Sequence, residues 1–213
     1  MRFPFLVFLA CAITLARGAP LERDLGGGLI YYRTKSVPAD IPTAPPAPKR
    51  SAVLDLRYAA ADGNGVTALE TWLKTHAGAR TPVFVLANAA TSPALLAMLS
   101  RHNPKDGVIL LGAASPGFAP DIAISFPPEA ERRAYEAFES NSDTNALLKE
   151  NPAKVRNDEA RLSREHLSTS TGEETAAPPD EKPSPTTAPP APIDFILQRA
   201  LHLHRALLAL KKL

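Results

Sequence analysis

The sequence predicts an α/β protein: a small, mostly parallel sheet with flanking helices, followed by proline-rich disordered segments and an isolated C-terminal amphipathic helix. Three observations carry that prediction. Short apolar runs recur at Ala52–Tyr58, where charged residues enter toward the end, and at Val83–Ala87 and Val108–Leu111, and such runs mark strands buried on both faces. Between them the apolar residues change to a helical period, bounded by capping and turn residues. The 213 residues include 22 prolines, most of them outside those runs, so the core takes up only part of the chain.

The opening segment reads as an export signal covering residues 1–18. Arg2 gives a positive start, Phe3 to Leu15 is almost entirely apolar, and Ala16-Arg17-Gly18 supplies small residues at cleavage spacing. The run is too short for a permanent membrane span, so the expected destination is outside the cytoplasm, periplasmic or secreted. The single cysteine, Cys11, lies inside this segment. A cleaved chain therefore has neither a disulfide nor a thiol nucleophile. Residues 19–28, ending in three glycines, form a flexible start.

A domain over residues 29–140 follows. Leu29–Arg33 is β-branched and aromatic and reads as its first strand. Residues 37–50, with Pro38, Pro42, Pro45, Pro46 and Pro48, form an extended spacer. After the strand at 52–58, Val66, Leu69, Trp72 and Leu73 fall at helical spacing up to His76, and Gly78 ends the helix. After the strand at 83–87, Ser92-Pro93 opens a second helix carrying Leu95, Leu96 and Leu99. Val108–Leu111 is a third buried run, and Asp121–Phe126 alternates as a fourth. Glu129–Glu139 is a charged helix with Ala130, Ala134 and Phe138 on one face.

Beyond residue 140 the composition becomes polar. Residues 141–167 are charged, helical only in pieces and broken at Pro152. Residues 168–192 carry seven prolines and no apolar side chain larger than alanine. Such a segment cannot offset its ordering entropy and is expected to be a disordered linker. Residues 193–213 then give a strong helix signal: Ile196, Ala200, Leu203, Leu207 and Leu210 form a stripe widened by Ile193, Leu197, Leu201 and Leu208, with Gln198, His202, Arg205 and Lys212 opposite. This Ile193–Leu213 helix is expected to recruit a protein partner or a second copy. The competing fates are an anionic membrane surface met through Arg199, Arg205, Lys211 and Lys212, and packing back on its own domain.

The formal charge of +2 is too small to draw nucleic acid by bulk electrostatics. No cofactor is implied. His202 and His204, two apart on a helix, point about 200° from each other, so no metal site is expected there. His76, His102 and Lys105 read as solvent-facing, with His102 and Lys105 at the far end of the second helix from Ser92.

Four fragments in a fixed order resemble the carboxy-terminal-processing (tail-specific) serine peptidases: Leu54-Asp55-Leu56-Arg57; Leu86-Ala87-Asn88 with Thr91-Ser92; Leu110-Leu111-Gly112; and Pro120-Asp121-Ile122. The resemblance covers roughly residues 29–138. It implies a ClpP/crotonase-like sheet, an oxyanion-binding turn after the first fragment, a nucleophile at Ser92, and a lysine base after the third fragment. Possible substrates or ligands on this reading are extended peptides.

The departures from that pattern bear on chemistry. Tyr58-Ala59-Ala60-Ala61 stands where the glycine-rich oxyanion turn belongs, Leu95 replaces an acidic residue, and Phe118 occupies the lysine's place. A serine hydroxyl without a base is a poor nucleophile, and each lost element typically removes about a hundredfold or more in rate. The expected protein is an exported, non-catalytic relative that binds or scaffolds; the alternative is an active serine endopeptidase using Ser92 with a displaced base. Ser92 reads first as a helix cap, and Asp55 with Arg57 as a pair that fixes a strand end.

Overall fold

The computed structural model describes residues 21–42, 50–140 and 192–213. The expected export signal, the middle of the proline spacer, the segment 141–167 and the expected linker up to residue 191 lie outside the described residues. The chain forms two compact units, one of residues 1–126 with 196–213 and one of residues 127–195.

The first unit is built on a six-stranded sheet. Its strands are β1 (Leu21–Asp24), β2 (Leu29–Arg33), β4 (Ser51–Asp55), β6 (Val83–Ala87), β7 (Val108–Gly112) and β8 (Ile122–Ala123), hydrogen-bonded in that order. β1 is antiparallel to β2, and every other pair is parallel. A second, two-stranded parallel sheet joins β3 (Ser36–Val37) to β5 (Ala60–Ala61). The β1 hairpin corrects the reading of residues 19–28 as a flexible start, since Leu21–Asp24 is paired along its length. β3 likewise places the beginning of the proline spacer in a sheet.

Because each parallel strand is added on the same side, right-handed crossovers put the connecting helices on one face. These helices are α1 (Gly63–His76) and α2 (Pro93–Leu99). The register stacks Ile30, Ala52, Val83 and Val108 in one row and Tyr32, Leu54, Val85 and Leu110 in the next. All eight join Leu69, Trp72, Leu73, Leu95, Leu96, Met98 and Leu99 in the main core. α1 begins where the Asp62 carboxylate accepts the Gly65 amide at 2.8 Å, a side-chain cap for an orphan donor. A Cβ at Gly65 would collide with the Val37 carbonyl, so only glycine lets the first turn of α1 approach β3 this closely.

The alternate rows, Tyr31, Val53, Phe84 and Ile109, then Arg33, Asp55, Leu86 and Leu111, face the other way. The C-terminal helix covers this side. In it, Ile196, Leu197, Ala200 and Leu201 are at most 3% exposed, and the His204 ring meets Phe84 edge-on at 6.3 Å between centroids. Gly27, in the β1–β2 turn, backs onto Leu208 and His204. The expectation of an isolated helix is therefore corrected. A parallel sheet needs cover on both faces.

The buried stripe also differs from the expected one. Gln198 and His204 are buried while Leu208 and Leu210 are 41% and 66% exposed, because the helix meets the sheet along its first turns and extends past it. Burial, then the Arg205 charge, pushes the His204 imidazole below its ordinary pKa, so the buried ring is held neutral. We number this helix α4 (Phe195–Ala209).

In the second unit, α3 (Pro128–Ser140) runs over the predicted residues. Arg132 and Glu136 pair one turn apart at 2.8 Å on its exposed face, and Ala134, Tyr135 and Phe138 are buried. No helix among the described residues is long and apolar enough to cross a membrane.

Candidate functional site

Ser92 stands at the carboxyl edge of the parallel sheet, at the N-cap position of α2, as the sequence predicts. Its side chain does not cap the helix; the capping role expected of it is absent because Pro93 and the turn before it fix the helix start. Two turns meet here. In the first, the Ala59 amide donates to the Leu56 carbonyl at 2.9 Å, and the third residue, Tyr58, has φ 63°. A positive φ at the third position of such a turn is where glycine is usual, and here a tyrosine holds that left-handed backbone.

The second turn, Asn88–Thr91, is stapled to the first. The Thr91 hydroxyl donates to the Leu56 carbonyl at 2.9 Å and accepts the Asn88 amide at 3.1 Å. The Ser92 amide donates to the Ala59 carbonyl at 2.9 Å. Four amides that an oxyanion hole at this turn could draw on are engaged. Arg57 N–H goes to the Asp55 carboxylate, Ala59 N–H to Leu56, Ala60 N–H to Lys35 and Ser92 N–H to Ala59. Pro93, next in line, has no N–H at all.

Among the described residues no base touches Ser92. No described lysine or histidine hydrogen-bonds to Ser92. Phe118 is 2% exposed and belongs to the main core. Its turn lies by the opposite end of α2, where Ser100 Oγ donates to the Gly117 carbonyl at 3.2 Å. Seven residues of helix separate the two ends by about 10 Å, beyond hydrogen-bond reach.

The strained turn yields a test. In a left-handed conformation a non-glycine residue costs about 1–2 kcal/mol, and a glycine costs about 1 kcal/mol in unfolded-state freedom. Tyr58→Gly is therefore expected to leave stability within about 1 kcal/mol, whereas the β-branched Tyr58→Val loses about 1–2 kcal/mol or more. Urea midpoints of the two variants check this.

Beneath the turn, on the α4 side of the sheet, lies a buried charged network. Asp55 receives Arg57 Nε at 3.0 Å, Arg57 Nη2 at 2.7 Å and the Tyr31 hydroxyl at 2.7 Å; Arg33 Nε donates to that hydroxyl at 3.0 Å. All four side chains are at most 2% exposed. Burial alone would raise the Asp55 carboxyl, but the Arg57 charge and hydrogen bonds, then Arg33 and the Tyr31 hydroxyl, hold it below its ordinary range. Burial first, then the Asp55 charge, pushes Tyr31 well up. With no opening to solvent, this is the strand-fixing pair the sequence predicts, enlarged by Tyr31 and Arg33.

At the opposite, amino edge of the sheet, His102 is not solvent-facing as expected. It is joined to Asp121, with Nε2 to Oδ2 3.0 Å and Nδ1 to the Leu99 carbonyl 2.7 Å. The same Asp121 oxygen accepts the Leu110 amide at 2.7 Å. Both ring nitrogens of His102 thus face an oxygen of a neighbouring residue. His76 is likewise engaged, stacked on Trp72 at 4.0 Å between centroids. The His102 partner was not visible in the sequence, since Asp121 lies 19 residues away and is brought near by β7–β8 pairing. Among the described residues no three His, Cys, Asp or Glu side chains gather as metal ligands.

Beside His102 a cleft of about 660 Å³ opens between the C-terminal ends of α1 and α2 and the short 3-10 turn Pro104–Asp106. Comparison of the sequence with protein-family models and with curated proteins gives no match.

Proposed function

We propose that this chain is an exported, non-catalytic relative of the tail-specific serine peptidases that acts as a binding or scaffolding module. The sheet accords with a crotonase-like plan: parallel strands added in series, with a second small parallel sheet beside α1. The observation that carries the non-catalytic reading is the state of the backbone around Ser92. Its own amide is bonded to Ala59, the amides of Arg57, Ala59 and Ala60 are bonded elsewhere, and Pro93 offers none. Those four amides are not open to a developing oxyanion, and removal of one such donor typically costs about a hundredfold or more. The apolar opening segment supports export.

The test is turnover and labelling. Incubated with an unstructured polypeptide, the folded protein is expected to release no fragments above the Ser92→Ala background, and a serine-reactive phosphonate is expected not to label Ser92. Cleavage that disappears in Ser92→Ala, together with labelling at that residue, would establish the active endopeptidase instead.

A further inference from the structure

We infer that the cleft between α1 and α2 is a binding site for a short zwitterionic peptide with apolar side chains. The inference deepens the binding-module reading by giving it a place and a ligand class.

The cleft has an apolar floor and a charged rim. Leu73 from α1, Ala77 at its C-cap, Met98 from α2 and Val108 from β7 supply the floor, and Leu73, Met98 and Val108 also belong to the main core. That makes the floor rigid, because its side chains are already held by packing. Its volume of about 660 Å³ falls within the usual range for small-ligand sites, which are largely apolar with a few placed polar groups.

The rim decides what kind of ligand fits. Glu70 and Lys74 neutralise one another at 2.8 Å. The Lys74 hydrogen bond and charge, with Arg101 contributing less, pull the Glu70 carboxyl below its ordinary range. Two charges remain without an ionic partner among the described residues. Arg101 donates only through Nε, to the Ala97 carbonyl at 3.2 Å, so its terminal nitrogens are left for a carboxylate in the bidentate manner guanidinium favours. Asp106, in the turn across the cleft, has its carboxylate equally uncommitted. One free cation, one free anion and an apolar floor match a molecule with a carboxylate, an ammonium and apolar groups between them. A fatty acid would leave Asp106 unanswered, and an amine would leave Arg101. His102 does not compete for the ligand, because both its ring nitrogens are taken by Leu99 and Asp121.

Calorimetric titration of the full chain with the tripeptide leucyl-alanyl-leucine, its C-terminal amide and its N-acetyl form tests the inference. The free tripeptide is expected to bind, and blocking either end is expected to weaken binding about three- to fivefold, the usual worth of one exposed ion pair. In Arg101→Gln the amide and the free peptide should bind equally; in Asp106→Asn the acetylated and free peptides should. Both side chains are exposed, so the fold is kept, and Arg80→Gln, outside the cleft, should behave as the unaltered protein. Blocked peptides binding as tightly as the free one, variants that keep both preferences, or no saturable binding at millimolar peptide would each overturn it. The readout is equilibrium binding rather than turnover, so a peptidase active at Ser92 would defeat the non-catalytic reading while leaving this result to stand or fall by itself.

Discussion

Replacing Asp55 with alanine is expected to destabilise the protein by about 3–5 kcal/mol, the usual cost of removing one partner of a buried ion pair. The loss comes mostly from what stays behind. Arg57 keeps its charge at 0% exposure with both carboxylate bonds gone, and the Tyr31 hydroxyl loses its acceptor. Because whole domains are stable by only about 5–15 kcal/mol, the urea midpoint should fall by a large fraction. Asp55→Leu combined with Arg57→Met should recover part of the loss, since no uncompensated charge remains at that pair. The acid limb gives a second readout. Asp55 has its pKa lowered in the native state, so its contribution is present above the ordinary carboxylate value of about 4 and is lost as pH falls through the lower native value. The unaltered protein should lose stability on acidification more steeply than Asp55→Ala.

The second large effect is expected in α4. Leu197 is fully buried, and Leu197→Asp puts an unpaired carboxylate against the sheet, for a loss of about 4–5 kcal/mol. Leu210, just past the end of the helix, is 66% exposed, and Leu210→Asp should change stability by no more than about 0.5 kcal/mol. Urea unfolding of the pair separates a helix docked on its own domain from one that waits for a partner, since in the second case both substitutions would be nearly neutral. Loss of far-UV helix signal in Leu197→Asp alone would place the effect in α4.

Most of the sheet could be read from the residues. β2 and β6 fall on the predicted spans because strands buried on both faces leave apolar runs; α2 and α3 fall on the predicted helical residues, α1 begins three residues before Val66, and the strands expected at 52–58 and 121–126 shorten to Ser51–Asp55 and Ile122–Ala123. What escaped notice was set by distant partners. β1 alternates only weakly and is a strand because β2 offers it an edge. β3 and β5 are two residues each and exist through one another. In α4 the apolar stripe was evident, but the side of the helix that docks was not, since Phe84 decides that His204 turns inward. At the candidate site, Asp55 with Arg57 was legible from adjacency. The Ser92 amide held by Ala59 was not, because it depends on two turns 33 residues apart meeting in space. The cleft beside His102 was not legible either, since Arg101 and Asp106 acquire meaning only once α1 stands beside them.

The late arrival of α4 has a consequence during synthesis. The strands are complete by residue 123, but the helix that seals their second face starts at residue 195. At ordinary elongation rates of about 5–20 residues per second, that face waits several seconds without its cover. For that interval Leu29, Phe84 and Leu86 are exposed to whatever holds nascent chains, and a ribosome stalled before Ile196 would release an adhesive, unfinished domain.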